Sequence, residues 1–394
     1  MFLSPIMTPA ALWLLFACFV CVLLLAAIYF ARVRSVVNYR RRADRERPDV
    51  PDSALLPASV VIYSQGDADN LTDMLKAVLA QDYPAAFEVI VVNEGESADV
   101  RDAVSMLRAS HPNLYLTFTP EGVVNLSRKK LGITLGIKAA RYDIVVLTTT
   151  AAEIESPLWL RRIMSRFDRE GKTEVVLGFA YIDPAEDSAH GRRCRAFDYV
   201  ADSVRWLATG IAGKPFRGTE YNIAYRKEAF MRNKGFARTL NLHYGDDDIF
   251  VSEIAGRHNT VVELSDESIV RLRHGNHPRI FNERVLRRFF TEGHIRRRPR
   301  FLSSLTGWLQ IAAIATGVAA GVVDYPNLQP AVVAAVIIIA MSVLDIFMWR
   351  SAMKALKSRT LMLTIPWLSV TYPLRKAGRH LRSRLGHQKK YTWD

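Results

Sequence analysis

The segment Ile144-Val-Val-Leu-Thr-Thr-Thr-Ala-Ala-Glu153 places four hydrophobic residues in front of a polar run, and its first carboxylate comes only at Glu153. A short aliphatic run bounded by polar residues is typical of a buried strand. Residues 131–140, just before it, have the pattern of a helix that leads into this strand. The segment is therefore one strand of an alternating helix–strand pattern that extends toward the N-terminus.

Three further strands precede this one, and helices separate them. The hydrophobic pattern predicts strands at 60–63, 88–92 and 114–119, and helices at 70–80 and 102–110. Strands that alternate with helices at this spacing predict an α/β fold, with a mostly parallel sheet flanked by helices. Ligands of such sheets bind at the carboxyl ends of the strands, where the connecting loops diverge.

The charge distribution and composition of the chain favour a membrane protein over a nucleic-acid-binding protein. The chain has 394 residues and a formal net charge of +14, and it contains only three cysteines, too few for a disulfide framework. Its basic residues concentrate at 32–47, 284–300 and 375–390, each beside an apolar segment. Basic clusters beside apolar spans are typical of membrane anchoring on anionic lipid, so nucleic acid is not expected as a partner.

Apolar segments predict membrane helices at both ends of the chain. Residues 9–31 contain no charged residue and are long enough to cross a bilayer. Residues 301–323 and 331–349 predict a helical hairpin, and the shorter 361–374 segment predicts an interfacial or re-entrant element. Asp345, inside the last span, is expected near the interface or facing another helix.

The positive-inside rule predicts that the soluble domain lies in the cytoplasm. The predicted organisation is an anchor at 1–31, a basic linker at 32–57, the α/β domain at 58–275, a basic amphipathic segment at 276–300, the hairpin at 301–349 and a basic tail at 350–394.

Five ordered blocks carry a resemblance to a known family. They are Ser59–Ser64, Phe87–Glu96, Lys129–Ala140, Gly218–Tyr225 and Tyr244–Phe250. In this order they resemble membrane-anchored bacterial family 2 glycosyltransferases, which have the nucleotide-diphospho-sugar transferase fold. The resemblance implies a nucleotide sugar as donor and a glycan or lipid-linked acceptor.

The resemblance also implies roles for residues after the first strands. Ser64 and Gln65 would border the nucleoside, and Glu94 would replace the aspartate that usually hydrogen-bonds the base. Lys129 and Lys130 would bring positive charge to the diphosphate. Glu94 as a solvated turn acid, and the two lysines as a solvated helix end, remain open alternatives.

The acidic run Asp246-Asp247-Asp248 is the clearest chemical signal in the sequence. An inverting transferase needs a carboxylate that takes the proton from the acceptor hydroxyl. The resemblance makes Asp247 the candidate general base, with Asp246 and Asp248 as substrate-binding residues. The alternative is an acidic cluster that caps a helix beginning at Ile249.

The metal site of the family is degenerate in this chain. An Asp-x-Asp pair would stand where Thr149 and Ala151 occur, so Mg²⁺ or Mn²⁺ lacks its usual ligands, and Glu153 is the possible substitute. The resemblance also implies a Gln-x-x-Arg-aromatic element after the acidic run, but we assign no segment of the sequence to it. The arginines at 284–298 would supply cationic charge, or serve as a lipid anchor.

Two functions follow from the sequence. The first is an inverting, membrane-bound glycosyltransferase that moves a sugar from a nucleotide-sugar donor to a lipid-linked or polysaccharide acceptor. The alternative is a catalytically impaired protein of the same fold, which would act at the membrane as a scaffold or regulator of another glycosyltransferase.

Overall fold

The computed structural model describes residues 7–46, 50–120, 122, 125–186, 189–295, 305–358 and 362–385. The chain forms two compact units. One unit, here called the membrane unit, contains the long apolar helices and the segment Gly191–Ala208. The other, the sheet unit, contains the strands and the shorter helices.

A seven-stranded sheet forms the centre of the sheet unit, with strand order β3-β2-β1-β4-β8-β6-β9. Its strands are β1 (Ala58–Ser64), β2 (Phe87–Glu94), β3 (Leu114–Thr119), β4 (Ile144–Thr149), β6 (Val175–Leu177), β8 (Ile223–Arg226) and β9 (Thr260–Val262). Strands β1 to β4 are parallel, β8 is antiparallel to both neighbours, and β6 pairs with β9 in parallel. The predicted mostly parallel α/β fold is confirmed.

A smaller three-stranded sheet has the order β5-β10-β7. Its strands are β5 (Ala152–Glu153), β7 (Ala180–Tyr181) and β10 (Val270–Leu272). Strand β5 follows β4 after a tight turn, so the chain leaves the main sheet just where the threonine run ends. Glu153 therefore belongs to the smaller sheet.

The helices of the sheet unit connect and cover the strands. They are α3 (Ala68–Leu79), α4 (Ala98–Arg108), α5 (Arg128–Ala139), α6 (Trp159–Met164), α8 (Lys227–Arg232), α9 (Asp248–Ile254) and α10 (Pro278–Glu292). Helix α3 begins before the predicted residue 70, because the Asp67 side chain accepts a hydrogen bond from the Asn70 backbone N–H at 3.2 Å and so caps it.

Helix α5 packs very closely on the sheet, and a glycine makes this possible. A Cβ at Gly136 would lie 2.7 Å from Cγ1 of Val61 and 2.8 Å from Cγ2 of Val92. Only glycine allows such an approach without displacing a strand side chain. The close contact fixes the N-terminal turn of α5, which carries Lys129 and Lys130, relative to the ends of β1 and β2.

The membrane unit consists mainly of α1 (Pro9–Tyr29), α7 (Arg192–Ile211), α11 (Leu305–Val323), α12 (Gln329–Ala355) and α13 (Ile365–Leu385). Helix α1 continues through a π-helical turn, Phe30–Arg34, into α2 (Ser35–Arg45). Among the described residues, three helices are long and apolar enough to cross a membrane: Pro9–Arg45, Leu305–Val323 and Gln329–Ala355.

These helices match the predicted spans 9–31, 301–323 and 331–349, except that residues 301–304 lie outside the described part. In the segment predicted at 361–374, Met362–Thr364 form a 3-10 turn and residues 365–374 form the first part of a longer helix, α13, which contains Pro373. Residue 361 is outside the described residues. The interfacial position of this segment stays a prediction.

A buried polar network connects the helices of the membrane unit. The Tyr29 hydroxyl donates to Oδ1 of Asp345 at 2.6 Å, and Nε2 of Gln310 donates to Oδ2 of the same carboxylate at 2.6 Å. Gln310 also donates to Ser369 at 2.8 Å, and the Trp349 indole N–H donates to Tyr29 at 3.1 Å. Asp345 therefore faces other helices, and its bonds satisfy a polar group that would otherwise be costly to bury.

Candidate active site

A small cavity lies at the carboxyl ends of β1 and β4 in the sheet unit. Its polar lining consists of Tyr63, Thr148, Thr149, Glu220, Asp246 and Asp247. The threonine run and the acidic run, about a hundred residues apart in sequence, thus border one cavity. This is the sheet edge at which an open parallel sheet binds its ligands.

Asp246 is paired with a lysine from helix α5. Oδ2 of Asp246 lies 2.7 Å from Nζ of Lys129, and the same ammonium contacts the carboxylate of Glu220. Burial by itself raises the pKa of Asp246, but the charge and hydrogen bond of Lys129 outweigh it, so this pKa is lowered. Asp246 is therefore a carboxylate at neutral pH, and Lys129 holds two acids of the cavity together.

Asp247 has the opposite electrostatic environment. Burial, together with the neighbouring charges of Asp248 and Asp246, raises its pKa to about 7. Its Oδ1 accepts a hydrogen bond from the Asp248 backbone N–H at 2.8 Å, so Asp247 is also the N-cap of α9. Capping and proton transfer are compatible, because the cap uses one carboxylate oxygen and a carboxylate has two.

The loop before these acids depends on a glycine. Gly245 has a φ of +107°, a region that residues with a Cβ rarely adopt. This turn directs Asp246 and Asp247 into the cavity at the start of α9.

Asp248 is not among the residues that line the cavity, and its predicted substrate-binding role stays a prediction. It is buried, with Oδ1 2.9 Å from Nε of Arg217 and Oδ2 accepting a hydrogen bond from the Thr291 hydroxyl at 2.8 Å. These contacts join the start of α9 to the end of α10. Asp248 therefore positions Asp247 and raises its pKa.

Lys130 is also placed differently from the expectation. Its side chain is fully buried, and Nζ donates to the backbone carbonyls of Thr239 at 2.6 Å and Tyr244 at 2.9 Å. Burial lowers its pKa to about 8, although the charge of Asp246 opposes this. Lys130 therefore fastens the loop that precedes the acidic run, and its ammonium is not directed at a diphosphate.

The residues predicted to border the nucleoside lie together at the ends of β1 and β2. Ser64 is buried and its hydroxyl has no hydrogen-bond partner among the described residues, whereas Gln65 is exposed. Glu94 accepts a hydrogen bond from the Tyr63 hydroxyl, which makes it more than a solvated turn acid. Nucleoside binding by Ser64, Gln65 and Glu94 stays a prediction.

The side chains at the degenerate motif do not fit a divalent cation. The Thr148 hydroxyl donates to the Tyr221 carbonyl at 2.9 Å, and the buried Thr149 hydroxyl has no partner among the described residues. Glu153, the possible substitute, pairs with Arg271 of the smaller sheet. In the described part of the chain no group of three or more His, Cys, Asp or Glu side chains is arranged to hold a metal. Hard cations require several oxygen ligands, most of them carboxylates.

Helix α10 brings arginines near the cavity. The Arg287 guanidinium lies 3.5 Å from Oε1 of Glu220 and 4.6 Å from the ring centroid of Tyr244. Arg284 lies over the ring of Tyr221, at 5.8 Å. Because these rings lie in the 218–225 and 244–250 blocks, α10 is packed directly on the segments that form the cavity.

Sequence reasoning missed Tyr63, Glu220 and Arg217 as residues of the site. Glu220 is the one charged residue of the quoted block 218–225, and this charge was the available signal. Arg217 immediately precedes that block. Nothing in a single sequence shows that Lys129 would join Glu220 to Asp246.

The chain is similar to several solved structures, and one with a TM-score above 0.5 supports the fold. A mannosyltransferase from Pyrobaculum calidifontis, determined with GDP-mannose and Mn²⁺, aligns with 92% of this chain and 99% of its own, at 18% identity and a TM-score of 0.52. Glucosyl-3-phosphoglycerate synthase from Mycobacterium tuberculosis aligns with 55% of this chain and 72% of its own, at 16% identity and a TM-score of 0.37. TarS from S. aureus aligns with 84% and 92%, at 14% identity and a TM-score of 0.39.

No curated protein sequence matches the chain. The family model described as glycosyl transferase family 21 matches residues 19–372, which include the sheet unit's strands, α11, α12 and the second half of α1. The match confirms the expectation of a glycosyltransferase, and the family 2 resemblance of the sequence blocks is broadly consistent with it. The chain belongs to glycosyl transferase family 21.

Proposed function

We propose that the protein is a membrane-anchored, inverting glycosyltransferase with Asp247 as its general base. It takes a sugar from a nucleotide-sugar donor and gives it to a hydroxyl of a lipid-linked or polysaccharide acceptor. The proposal includes an inner-membrane location with the sheet unit in the cytoplasm, supported by the basic residues that follow the first apolar helix.

The position and pKa of Asp247 carry this proposal. A general base works best when its pKa is near the pH at which the enzyme operates. Asp247 borders the cavity at the sheet edge and has a pKa raised to about 7. The two neighbouring acids differ from Asp247 because each has a cationic partner. Lys129 keeps Asp246 ionised, and Arg217 pairs with Asp248. A pair of acids with separated pKa values is the usual arrangement of a catalytic carboxylate and its supporting charge.

The proposed reaction moves one proton and exchanges one bond at the sugar. An Asp247 oxygen takes the proton of the acceptor hydroxyl as its oxygen bonds to the anomeric carbon, while the bond from that carbon to the diphosphate breaks. Attack from the face opposite the diphosphate inverts the anomeric centre. The leaving diphosphate needs positive charge, and the described cations near the cavity are Lys129 and Arg287.

Donor recognition is proposed for the ends of β1 and β2. The hydroxyl of Ser64, which has no partner in the described part of the chain, and the carboxylate of Glu94 offer hydrogen-bonding atoms at this edge, and Gln65 is exposed beside them. The donor's sugar and nucleotide are not specified by these contacts.

A second function has a specific observation in its favour. Thr149 and Ala151 occupy the place of the metal-binding pair, and neither offers a carboxylate. A protein that had lost catalysis would still bind nucleotide or glycan and act as a scaffold or regulator for another glycosyltransferase at the membrane.

Measuring sugar transfer by the native protein and by matched variants distinguishes an active glycosyltransferase from a scaffold protein. The full-length protein in bacterial membranes is incubated with a panel of radiolabelled nucleotide sugars, with and without Mg²⁺ or Mn²⁺. We expect transfer by the native protein, and a loss of about 10²-fold or more in Asp247→Asn with donor binding retained. Asp69→Asn, which removes an exposed carboxylate, serves as the control. Absence of turnover with every donor, alongside measurable donor binding, would leave the scaffold function.

A further inference from the structure

Four charged side chains form a connected cluster at the candidate active site. Nζ of Lys129 lies 2.7 Å from Oδ2 of Asp246 and also contacts Oε2 of Glu220. The other oxygen of Glu220, Oε1, lies 3.5 Å from the guanidinium of Arg287. Lys129 therefore lies between two acids, and Glu220 lies between two cations. We call these four residues the charge cluster.

The charge cluster borders the cavity that contains the degenerate metal motif. Glu220 and Asp246 line this cavity together with Thr148 and Thr149. Thr149 stands where the resemblance places a metal-binding aspartate, and its buried hydroxyl has no hydrogen-bond partner among the described residues. Two acids of the cavity thus come from other segments of the chain, and a single ammonium, that of Lys129, contacts both.

The charges of this cluster balance in the same way as those of a metal site. A divalent cation on two aspartates combines two positive with two negative charges. The charge cluster combines the same numbers, because it contains one lysine, one arginine and two acids. The side chains of Lys129 and Asp246 are only 16% and 7% exposed, so water screens their charges weakly. Two singly charged side chains therefore bring to the cavity the positive charge of one divalent cation.

Both cations of the cluster have N–H groups beyond those that the described acids engage. An ammonium has three N–H donors, and the two carboxylates engage two of those of Lys129. Nη2 of Arg287 donates to Glu283 at 2.8 Å, whereas its Nε is buried and has no hydrogen-bond partner in the described part of the chain. Phosphate oxygens are strong acceptors for ammonium and guanidinium groups. A diphosphate would therefore find donors on both cations.

We propose that Lys129 takes the place of the divalent cation in this site and, together with Arg287, binds the diphosphate of the nucleotide sugar. Glu220 and Asp246 are positioning residues, since they hold the ammonium as the carboxylates of a metal site hold an ion. This inference rests on the proposed nucleotide-sugar donor and adds to it the group that replaces the metal.

The same geometry gives the site a latent affinity for metal. A single nitrogen contacts Glu220 and Asp246, so the two carboxylates are close enough to share one ion once the Lys129 side chain is removed. Divalent cations in nucleotide sites are commonly bound by one or two carboxylates together with the substrate phosphates. Replacing Lys129 by a small residue should therefore convert a metal-independent nucleotide site into a metal-dependent one.

Isothermal titration calorimetry of the full-length protein in detergent micelles tests the proposal, with UDP, GDP, ADP and dTDP as probes in EDTA and in Mn²⁺. We expect the native protein to bind at least one of these nucleotides with the same affinity in both conditions. Lys129→Ala and Lys129→Met should each bind it about tenfold or more weakly in EDTA, because a charge-assisted hydrogen bond is lost.

Addition of Mn²⁺ should separate these two variants. It should restore the affinity of Lys129→Ala, which leaves room for an ion between the acids, but not that of Lys129→Met, whose longer side chain fills the space. Lys138→Ala, which removes an exposed lysine of the same helix, is the matched control and should behave as the native protein does.

Four results would overturn the proposal: native binding that requires Mn²⁺, unchanged affinity of both Lys129 variants, equal rescue of both by Mn²⁺, or no native binding of any of the four nucleotides. Sugar transfer is measured separately. The expected binding pattern without transfer from any donor would refute the transferase function and leave the role of Lys129 in place. Transfer by a native protein that requires Mn²⁺ would do the reverse.

A charge-balanced variant tests the proposal if the single variants fail to fold. Lys129→Met combined with Glu220→Gln removes one positive and one negative charge together, so no acid is left without its partner at Glu220. This double variant should bind nucleotide about tenfold or more weakly in EDTA, and unchanged affinity would contradict the proposal. Lys129→Arg keeps the positive charge and should retain nucleotide binding in EDTA, a rescue that a purely structural role of the lysine side chain does not predict.

Discussion

Replacing Asp247 by asparagine should remove the transfer activity and at the same time stabilise the protein in a pH-dependent manner. The folded-state pKa of Asp247 is about 7, against an ordinary value of 3.8. A carboxyl group with a raised folded-state pKa stabilises the folded state below its unfolded pKa, and this stabilisation is lost as the pH rises toward 7. Each pKa unit corresponds to about 1.36 kcal/mol, so ionising Asp247 costs the folded protein about 4 kcal/mol at pH 8 and under about 1 kcal/mol at pH 4.

Asparagine cannot ionise, yet its side-chain oxygen still caps α9, so the variant escapes this cost without losing the cap. We therefore expect Asp247→Asn to be more stable than the native protein by up to about 4 kcal/mol at pH 8, with a difference that shrinks toward pH 4. The measurement is denaturant unfolding of the full-length protein in detergent micelles, followed by circular dichroism at several pH values. Asp69→Asn should show no such trend, because Asp69 is exposed. A stability difference that stays constant between pH 4 and 8, or a variant that is destabilised throughout, would refute a buried Asp247 with a raised pKa.

Three other outcomes follow from the site. The value of kcat/KM should rise about tenfold per pH unit below pH 7 and level off above it, because Asp247 must be ionised to accept a proton; a profile that is flat from pH 5 to 8 would exclude it as the base. In Lys129→Met the midpoint of that profile should move to higher pH, since the Lys129 charge lowers the Asp247 pKa, and an unmoved midpoint would contradict the electrostatic coupling. Activity and donor affinity should be retained in EDTA, because the described residues at Thr148 to Ala151 do not fit a divalent cation, and recovery only on adding Mn²⁺ would show that other ligands hold a metal.

The local pattern of the sequence predicted the strands well. Strand β3 has the predicted bounds 114–119, and β1, β2 and β4 each contain the predicted segment and extend beyond it. Strands β1 and β4 are buried on both faces, so their continuous aliphatic runs are visible without tertiary information. Helix starts were less accurate, because a capping side chain such as Asp67 or Ser127 fixes them, and capping depends on backbone geometry.

The roles of charged residues were harder to predict than the elements that carry them. Lys129 and Lys130 are adjacent and chemically identical, yet Lys129 contacts two acids of the cavity while Lys130 is buried against backbone carbonyls. Successive helical residues point about 100° apart, so packing of α5 on the sheet decides which lysine faces the cavity. Asp247 and Asp248 differ for the same reason, at the start of α9.

The sequence by itself determined the alternating strands and helices, the apolar helices at both ends, and the absence of carboxylates at Thr148 to Ala151. These properties are local, since each depends on residues within a few positions of one another. Only the tertiary structure decided that the threonine run and the acidic run border one cavity, that Lys129 joins Glu220 to Asp246, and that Arg217 and Thr291 hold Asp248 beneath Asp247. Those contacts join residues that are distant in the chain, and their distances and burial, which set the pKa of Asp247, arise only when the sheet and helix α10 are packed.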